Sequence, residues 1–252
     1  MPEAADYIAS SPQESLALAQ PQDKSPFVRG LQDAARDSNI VINVGIHVPV
    51  TEPLSSSSED ATLRTRLYNR SLWIRADGTI NDAATYDKLH LFDYGALKES
   101  AVVRPGAKLT HPFETPVGRV GSLICFDLRF AEPALALAQP PGTTSAPNDS
   151  SAAQILTYPS AFTVPTGEAH WEVLLRARAI EAQCWVIAAA QAGRHNEGRV
   201  SYGNSMVVDP WGRVVVRLGG PEDGAEGKVG FVEVDLGAVE KVRGAMPLER
   251  RT

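Results

Sequence analysis

The sequence predicts a mixed α/β protein built in layers, and three observations carry that prediction. Short runs rich in β-branched and apolar residues recur along the chain: "IVINVGIHVPV" (40–50), "GRVGSLICF" (118–126), "AQILTYP" (153–159) and "CWVIAAAQ" (184–191). Helical patterns fall between them. Hairpin signals interrupt the alternation, with an Asp-Gly turn in "LYNRSLWIRADGTI" (67–80) and a Gly-ended turn in "SMVVDPWGRVVVRL" (205–218).

Each element has a local reason. "SPQESLALAQ" offers Ser11 as an N-cap, Pro12 at the first helical position and Glu14 in the first turn. "SPFVRGLQDAARDSN" repeats the cap and spaces Phe27, Val28, Leu31, Ala34 and Ala35 at helical intervals before a polar stop. Residues 51–66 read as a polar, Ser-rich loop. "RFAEPALALAQ" (129–139) reads as a helix, and residues 140–152 as a low-complexity surface insertion. The stretch 166–183 is expected to be an amphipathic helix burying Trp171, Leu174, Leu175, Ala179 and Ile180. Its Glu172/Arg176 and Arg178/Glu181 spacings suit ion pairs. "KVGFVEVDL" (228–236) is expected to be the last strand, with a short basic helix after it. No internal repeat is evident, and the chain reads as one domain over residues 1–252.

Bulk composition excludes several functions. The chain has 252 residues and a net charge of −6, so it offers no basic stripe for nucleic acid or anionic lipid. No apolar run approaches the ~18 residues of a membrane span. The opening stretch lacks the basic start and apolar core of a secretory signal. Two cysteines do not make a disulfide framework. A cytoplasmic protein is expected, with no cofactor and no metal, since no Cys/His spacing suits zinc.

The chemistry-bearing residues each have two readings. Cys125 ends an apolar strand in "GSLICFDLRFAEP", just before a helix start. There the unpaired N–H groups favour a thiolate and an oxyanion, although a free cysteine is also a common core residue. Cys184, among Ala and Val, reads as core. A cysteine nucleophile needs a base. His47, His90, His111, His170 and His195 are available, and spacing selects none of them. Lys88, in "YDKLHLFD", is either an edge-strand lysine or a cation beside the thiol. Glu3, taken alone, is a carboxylate on a loose terminus.

Four segments together resemble the nitrilase superfamily of carbon–nitrogen hydrolases. They are "YDKLHLFD", "GSLICFDLRFAEPALALAQ", "ILTYPSAFTVPTGEAHWEVLLRARAIEAQCWVIAAAQAG" and "SYGNSMVVDPWGRVV". The branch that includes deaminated-glutathione amidase is the most similar, and "PEAADYI" fits the segment that carries the family's base. The resemblance covers residues 2 to about 244. It implies a four-layer α-β-β-α sandwich and a Glu3–Lys88–Cys125 triad that hydrolyses a small carboxamide. Cys125 would attack the carbonyl, while Lys88 and the Phe126 N–H hold the oxyanion. Glu3, with a pKa raised toward neutrality, would move the proton to the leaving nitrogen and then activate water. Glu99 matches the family's second Glu. Tyr158, Ser160 and Phe162, in "YPSAF", match its pocket-lining turn.

The resemblance also implies a homodimer, and it allows a mitochondrial form. Relative to the family pattern the chain reads as truncated at both ends, with the first strand missing and a shortened loop between Lys88 and Glu99. Two alternatives to deaminated glutathione hydrolysis therefore stand beside it. One is an ω-amidase acting on 2-oxo-acid amides. The other is a catalytically impaired member that serves as a structural or interaction protein.

Overall fold

The computed structural model describes residues 1–53, 63–95, 97–139 and 151–248. Helices α1 (Pro12–Leu18) and α2 (Pro26–Ser38) precede a long antiparallel pair, β1 (Ile42–Pro53) and β2 (Leu63–Ile74), and the short β3 (Tyr86–Asp87) completes a sheet in the order β1-β2-β3. The two-residue strands β4 (Asp93–Tyr94) and β5 (Leu97–Lys98) pair with each other. After them come β6 (Phe113–Thr115), β7 (Gly118–Ser122), α3 (Ala131–Ala138), β8 (Ile155–Thr157), α4 (Val164–Ala182) and β9 (Trp185–Ala188). The hairpin β10 (Ala192–Asn196) and β11 (Arg199–Tyr202) leads to β12 (Met206–Val208), β13 (Val214–Arg217) and α5 (Leu236–Ala245). The second large sheet runs β13-β12-β9-β8-β7-β6, with β7, β8 and β9 parallel.

Three apolar clusters stack these elements into four layers. α2 is capped by Ser25, whose hydroxyl accepts from the Val28 N–H, and ends on Asn39 in the left-handed conformation (φ 52°). It buries Val28 and Ala35 against Val44, Ile46, Val48, Leu72 and Ile74 of the first sheet. Alternation then sends Asn69, Ser71 and Trp73 to the opposite face of β2. Trp73 packs there with Val120, Ile155, Trp185 and Val207 of the second sheet, and its indole N–H donates to Ser122 Oγ at 2.9 Å. The far side of the second sheet is covered by α3 and α4 through Leu137, Trp171, Leu175 and Ala179. The α-β-β-α sandwich is the fold the sequence implied.

Several expectations are corrected. Residues 51–53 and 63–66 continue strands β1 and β2, because the paired strands extend past the Ser-rich stretch whose residues 54–62 lie outside the described set. Most of the 140–152 segment also lies outside it, while Ala152 is buried. Of the 228–236 stretch, residues 228–235 join no ladder among the described residues and Leu236 opens α5, so it is not a strand, and Phe231 is left 88% exposed. Ile180 is exposed, since the buried stripe of α4 follows Trp171, Leu175, Arg178 and Ala182 instead. The hairpin β10–β11 was not foreseen, because its sequence "AGRHNEGRVSY" carries few strand formers.

Candidate active site

Five side chains, those of Glu3, Asn69, Lys88, Glu99 and Cys125, meet at one place in the fold. Residues Met1–Ala5 lie along the outer edge of β1. The Gly45 N–H donates to Pro2 O at 3.0 Å and the Ala5 N–H to Gly45 O at 2.8 Å. This close approach needs glycine: a Cβ on Gly45 would lie 2.6 Å from the Glu3 Cα. Ala4 adopts φ 51°, a left-handed turn of the backbone just after Glu3, across which Gly45 bonds to both Pro2 and Ala5. Gln191, past the end of β9, donates from Nε2 to the carbonyls of Glu3 (2.9 Å) and Ala4 (3.0 Å). Glu3 is thus only 5% exposed, and the loose terminal carboxylate of the bare sequence is a buried, anchored group.

Lys88 follows β3 and is 2% exposed. Its Nζ donates to Glu3 Oε1 at 2.8 Å and to Glu99 Oε1 and Oε2 at 3.0 and 2.9 Å. The shortened loop still delivers Glu99, because the Phe92 N–H donates to Glu99 Oε2 at 2.7 Å and pulls the turn inward. Asn69 of β2 completes the cluster by donating from Nδ2 to Glu3 Oε1 (2.7 Å) and Glu99 Oε1 (2.9 Å). Two carboxylates therefore share one ammonium and one amide.

Cys125 opens a short 3₁₀ helix (Cys125–Arg129) that begins after Leu123 and Ile124, which follow β7. Its φ of 43° is a left-handed value for a non-glycine residue, the kind of local strain found where a side chain must be presented at a tight turn. The backbone N–H of Cys125 donates to Pro159 O at 2.9 Å. The Glu3 carboxylate, the Lys88 ammonium and the Ala161 backbone all lie near enough to the thiol to act on its ionisation.

The electrostatics revise two expectations. Burial pushes the Glu3 carboxyl up. The Lys88 ammonium and the hydrogen bonds from Lys88 and Asn69 outweigh it, and the group ends below the usual 4.5 rather than near neutrality. Burial also pushes the Cys125 thiol up. The Glu3 charge adds to that, and Lys88 only partly opposes it, so the resting thiol is neutral. Burial alone would lower Lys88, but Glu3 and Glu99 hold it well above 10.5. The resting site thus pairs an ionised carboxylate with a protonated thiol.

A narrow cavity opens at Cys125, lined also by Phe92, Phe126, Arg129, Ala161, Phe162, Thr163 and Thr166. Phe126 and Phe162 therefore stand at the opening. Tyr158 and Ser160 are fully buried and are not part of this lining. Ser160 Oγ donates to Tyr158 O at 2.9 Å, which shapes the turn that carries the Pro159 and Ala161 contacts. Arg129 half-emerges beside Phe126, its Nη2 2.8 Å from His170 Nδ1. The five histidines are not part of the Glu3–Lys88–Cys125 contacts. Cys184 is buried core, its sulfur 3.1 Å from Arg243 Nη2.

Sequence reasoning missed Asn69 and Gln191. Asn69 carried one signal: its even spacing from Trp73 places it on the inward face of β2. Gln191 carried none, because its two acceptors lie at the other end of the chain.

A thiol, a carboxylate and an ammonium thus lie together beneath the opening at Cys125, a set of groups that suits hydrolytic chemistry. The carbon–nitrogen hydrolase family model matches residues 1–244, and this chain belongs to that family. It is a hydrolase acting on carbon–nitrogen bonds, an amidase of the nitrilase superfamily. Its relatives include the "Probable hydrolase nit2" of Schizosaccharomyces pombe, 41% identical over 99% of this chain and 83% of that protein. The "Deaminated glutathione amidase" of Mus musculus is 41% identical over 98% of this chain and 70% of that protein. Among solved structures, Caenorhabditis elegans NitFhit superposes with a TM-score of 0.76 at 37% identity, covering all of this chain and 56% of that one. Saccharomyces cerevisiae Nit3 gives 0.74 at 29% identity, covering 99% of this chain and 80% of that one.

Proposed function

We propose that this amidase cleaves deaminated glutathione to 2-oxoglutarate and Cys-Gly through a thioester on Cys125. The observation that carries the mechanism is the Lys88 ammonium held 2.8 Å from Glu3 Oε1, with the Cys125 thiol close enough to feel both charges.

Glu3 takes the thiol proton as the Cys125 sulfur attacks the amide carbonyl, forming the S–C bond and moving the π pair onto oxygen. Lys88 and the Phe126 N–H stabilise that oxyanion. The C–N bond then breaks, the electron pair returns to the carbonyl, and Glu3 passes its proton to the departing amine. Water, deprotonated by Glu3, attacks the thioester. The S–C bond breaks, and the proton returns to sulfur. Glu99 keeps Lys88 charged and aimed. A neutral resting thiol beside an ionised Glu3 suits this general-base route better than a preformed thiolate does.

The substrate reading rests on the relatives' names and on the cavity. Arg129 offers a guanidinium to the carboxylate of the 2-oxo-acyl end, and Thr163 and Thr166 offer hydroxyls at the same opening. Burial of Glu3 argues against the impaired, purely structural alternative. The chain is read as a homodimer working in the cytoplasm.

The test is steady-state kinetics of the purified protein on deaminated glutathione, following 2-oxoglutarate, in parallel with 2-oxoglutaramate, following ammonia. A higher kcat/KM on deaminated glutathione is expected. Preference for the simple amide moves the assignment to an ω-amidase. No turnover of either by folded protein, with Cys125 inert to iodoacetamide, overturns the amidase mechanism.

A further inference from the structure

The segment Tyr86–His90 carries Lys88 at its centre, and the turn Ile124–Arg129 carries Cys125 near its start. One carboxylate joins the two. Asp127 is fully buried (0% exposed). Its Oδ2 accepts from the Tyr86 hydroxyl at 2.7 Å and from the Ile124 N–H at 3.0 Å. Its Oδ1 accepts from the His90 N–H at 3.0 Å and from His90 Nδ1 at 2.7 Å. The Tyr86 hydroxyl in turn accepts from the Leu89 N–H at 3.3 Å.

A carboxylate has about four acceptor sites, and all four are filled here. The donors lie two residues before Lys88, two residues after it, and one residue before Cys125. Among the described residues, the hydrogen bonds between these two segments all end on Asp127. His90 is further braced by stacking on Phe130, with centroids 3.7 Å apart. Lys88 Nζ itself is committed to Glu3 and Glu99, which arrive from other parts of the chain. The cation is thus aimed by one set of contacts, while its backbone is registered to the nucleophile's turn by another.

We propose that Asp127 is a positioning residue for the hydrolysis, a buried clamp that sets the spacing between the Lys88 ammonium and the Cys125 sulfur. The proposal rests on the roles given above to Lys88 and Cys125. An oxyanion donor misplaced by even an ångström loses most of its value, so the clamp is read chiefly in kcat.

The test compares Asp127→Asn and Tyr86→Phe with wild type in kcat and KM on deaminated glutathione, in the rate of Cys125 alkylation by iodoacetamide, and in melting temperature. The Asn variant turns one acceptor into a donor and is expected to lose about 100-fold in kcat with KM within about threefold. The Phe variant, missing one bond, is expected to lose about tenfold. Alkylation slows in the same order. If Asp127→Asn does not fold, Tyr86→Phe alone decides. A folded variant with a lower melting temperature but wild-type kcat and alkylation overturns the proposal, because Asp127 would then hold only the fold. If wild type turns over neither amide while the variants still slow alkylation, the substrate reading fails and the clamp stands.

Discussion

The side-chain amide of Gln191 donates to the backbone carbonyl of Glu3 at 2.9 Å, across 188 positions of sequence. The contact ties the base to the second sheet, while Lys88 and Asn69 hold its carboxylate from the first. Gln191→Ala removes both this bond and the one to Ala4, each worth about 1 kcal/mol. We expect roughly a tenfold loss in kcat, about 1.4 kcal/mol of barrier. The cavity is untouched, so KM should hold. Stopped-assay kinetics check this, and an unchanged kcat would show that β1 pairing alone fixes Glu3.

Gly45→Ala attacks the same anchor from the other side. Its new Cβ would meet backbone, not a flexible side chain, at 2.6 Å from the Glu3 Cα and 2.9 Å from Pro2 O. The opening segment must peel away from β1, taking Glu3 with it. Turnover should fall by about two orders of magnitude while the α3/α4 side of the molecule keeps its fold. Kinetics together with near-ultraviolet circular dichroism measure both.

The two cysteines should separate cleanly. Cys125→Ala abolishes turnover and leaves the fold intact. Cys184→Ala leaves turnover within a few fold and costs stability, about 1–2 kcal/mol, because a buried sulfur contact to Arg243 and Ala153 O is lost. Activity assays and urea melts of the two variants decide. Comparable activity loss in both would misassign the nucleophile.

The pH profile follows from the buried charges. Glu3 lies below 4.5 in the folded protein, so it is already the base at any higher pH, and the acid limb of kcat/KM falls below that value. The thiol is neutral at rest, so no rise should accompany the usual thiol ionisation near 9.0. A broad plateau is expected. Stability carries the same signs. The lowered Glu3 contributes above its unfolded pKa, and that contribution is lost as pH falls through the folded one. The raised Lys88 contributes below 10.5, and its share is lost as pH rises through its folded value. Rate profiles and urea midpoints against pH test this. A narrow bell with both limbs between 4.5 and 9.0 would contradict it.

The interface between the sheets depends on Trp73. Trp73→Ala empties a site lined by Val120, Ile155 and Trp185 and orphans Ser122 Oγ, a loss of about 3–5 kcal/mol. A large fall in the urea midpoint, with residual activity at low temperature, is the expected result.

The sequence alone determined what is written in local spacing. The cap at Ser25, the stripe of Val28 and Ala35, and the β-branched runs of β1, β7 and β9 specify elements whose apolar faces must be covered, and those elements admit a layered α/β fold. Ordered motifs also singled out Glu3, Lys88, Glu99 and Cys125. Only the tertiary structure decided how these groups act on one another. Protonation depends on distance and burial, which no spacing encodes. Glu3 was expected near neutrality and lies below the usual carboxylate value because Lys88 and Asn69 reach it. The 228–236 stretch shows the same limit from the other direction: its composition suits a strand, but a strand exists only where a neighbour supplies the other half of its hydrogen bonds.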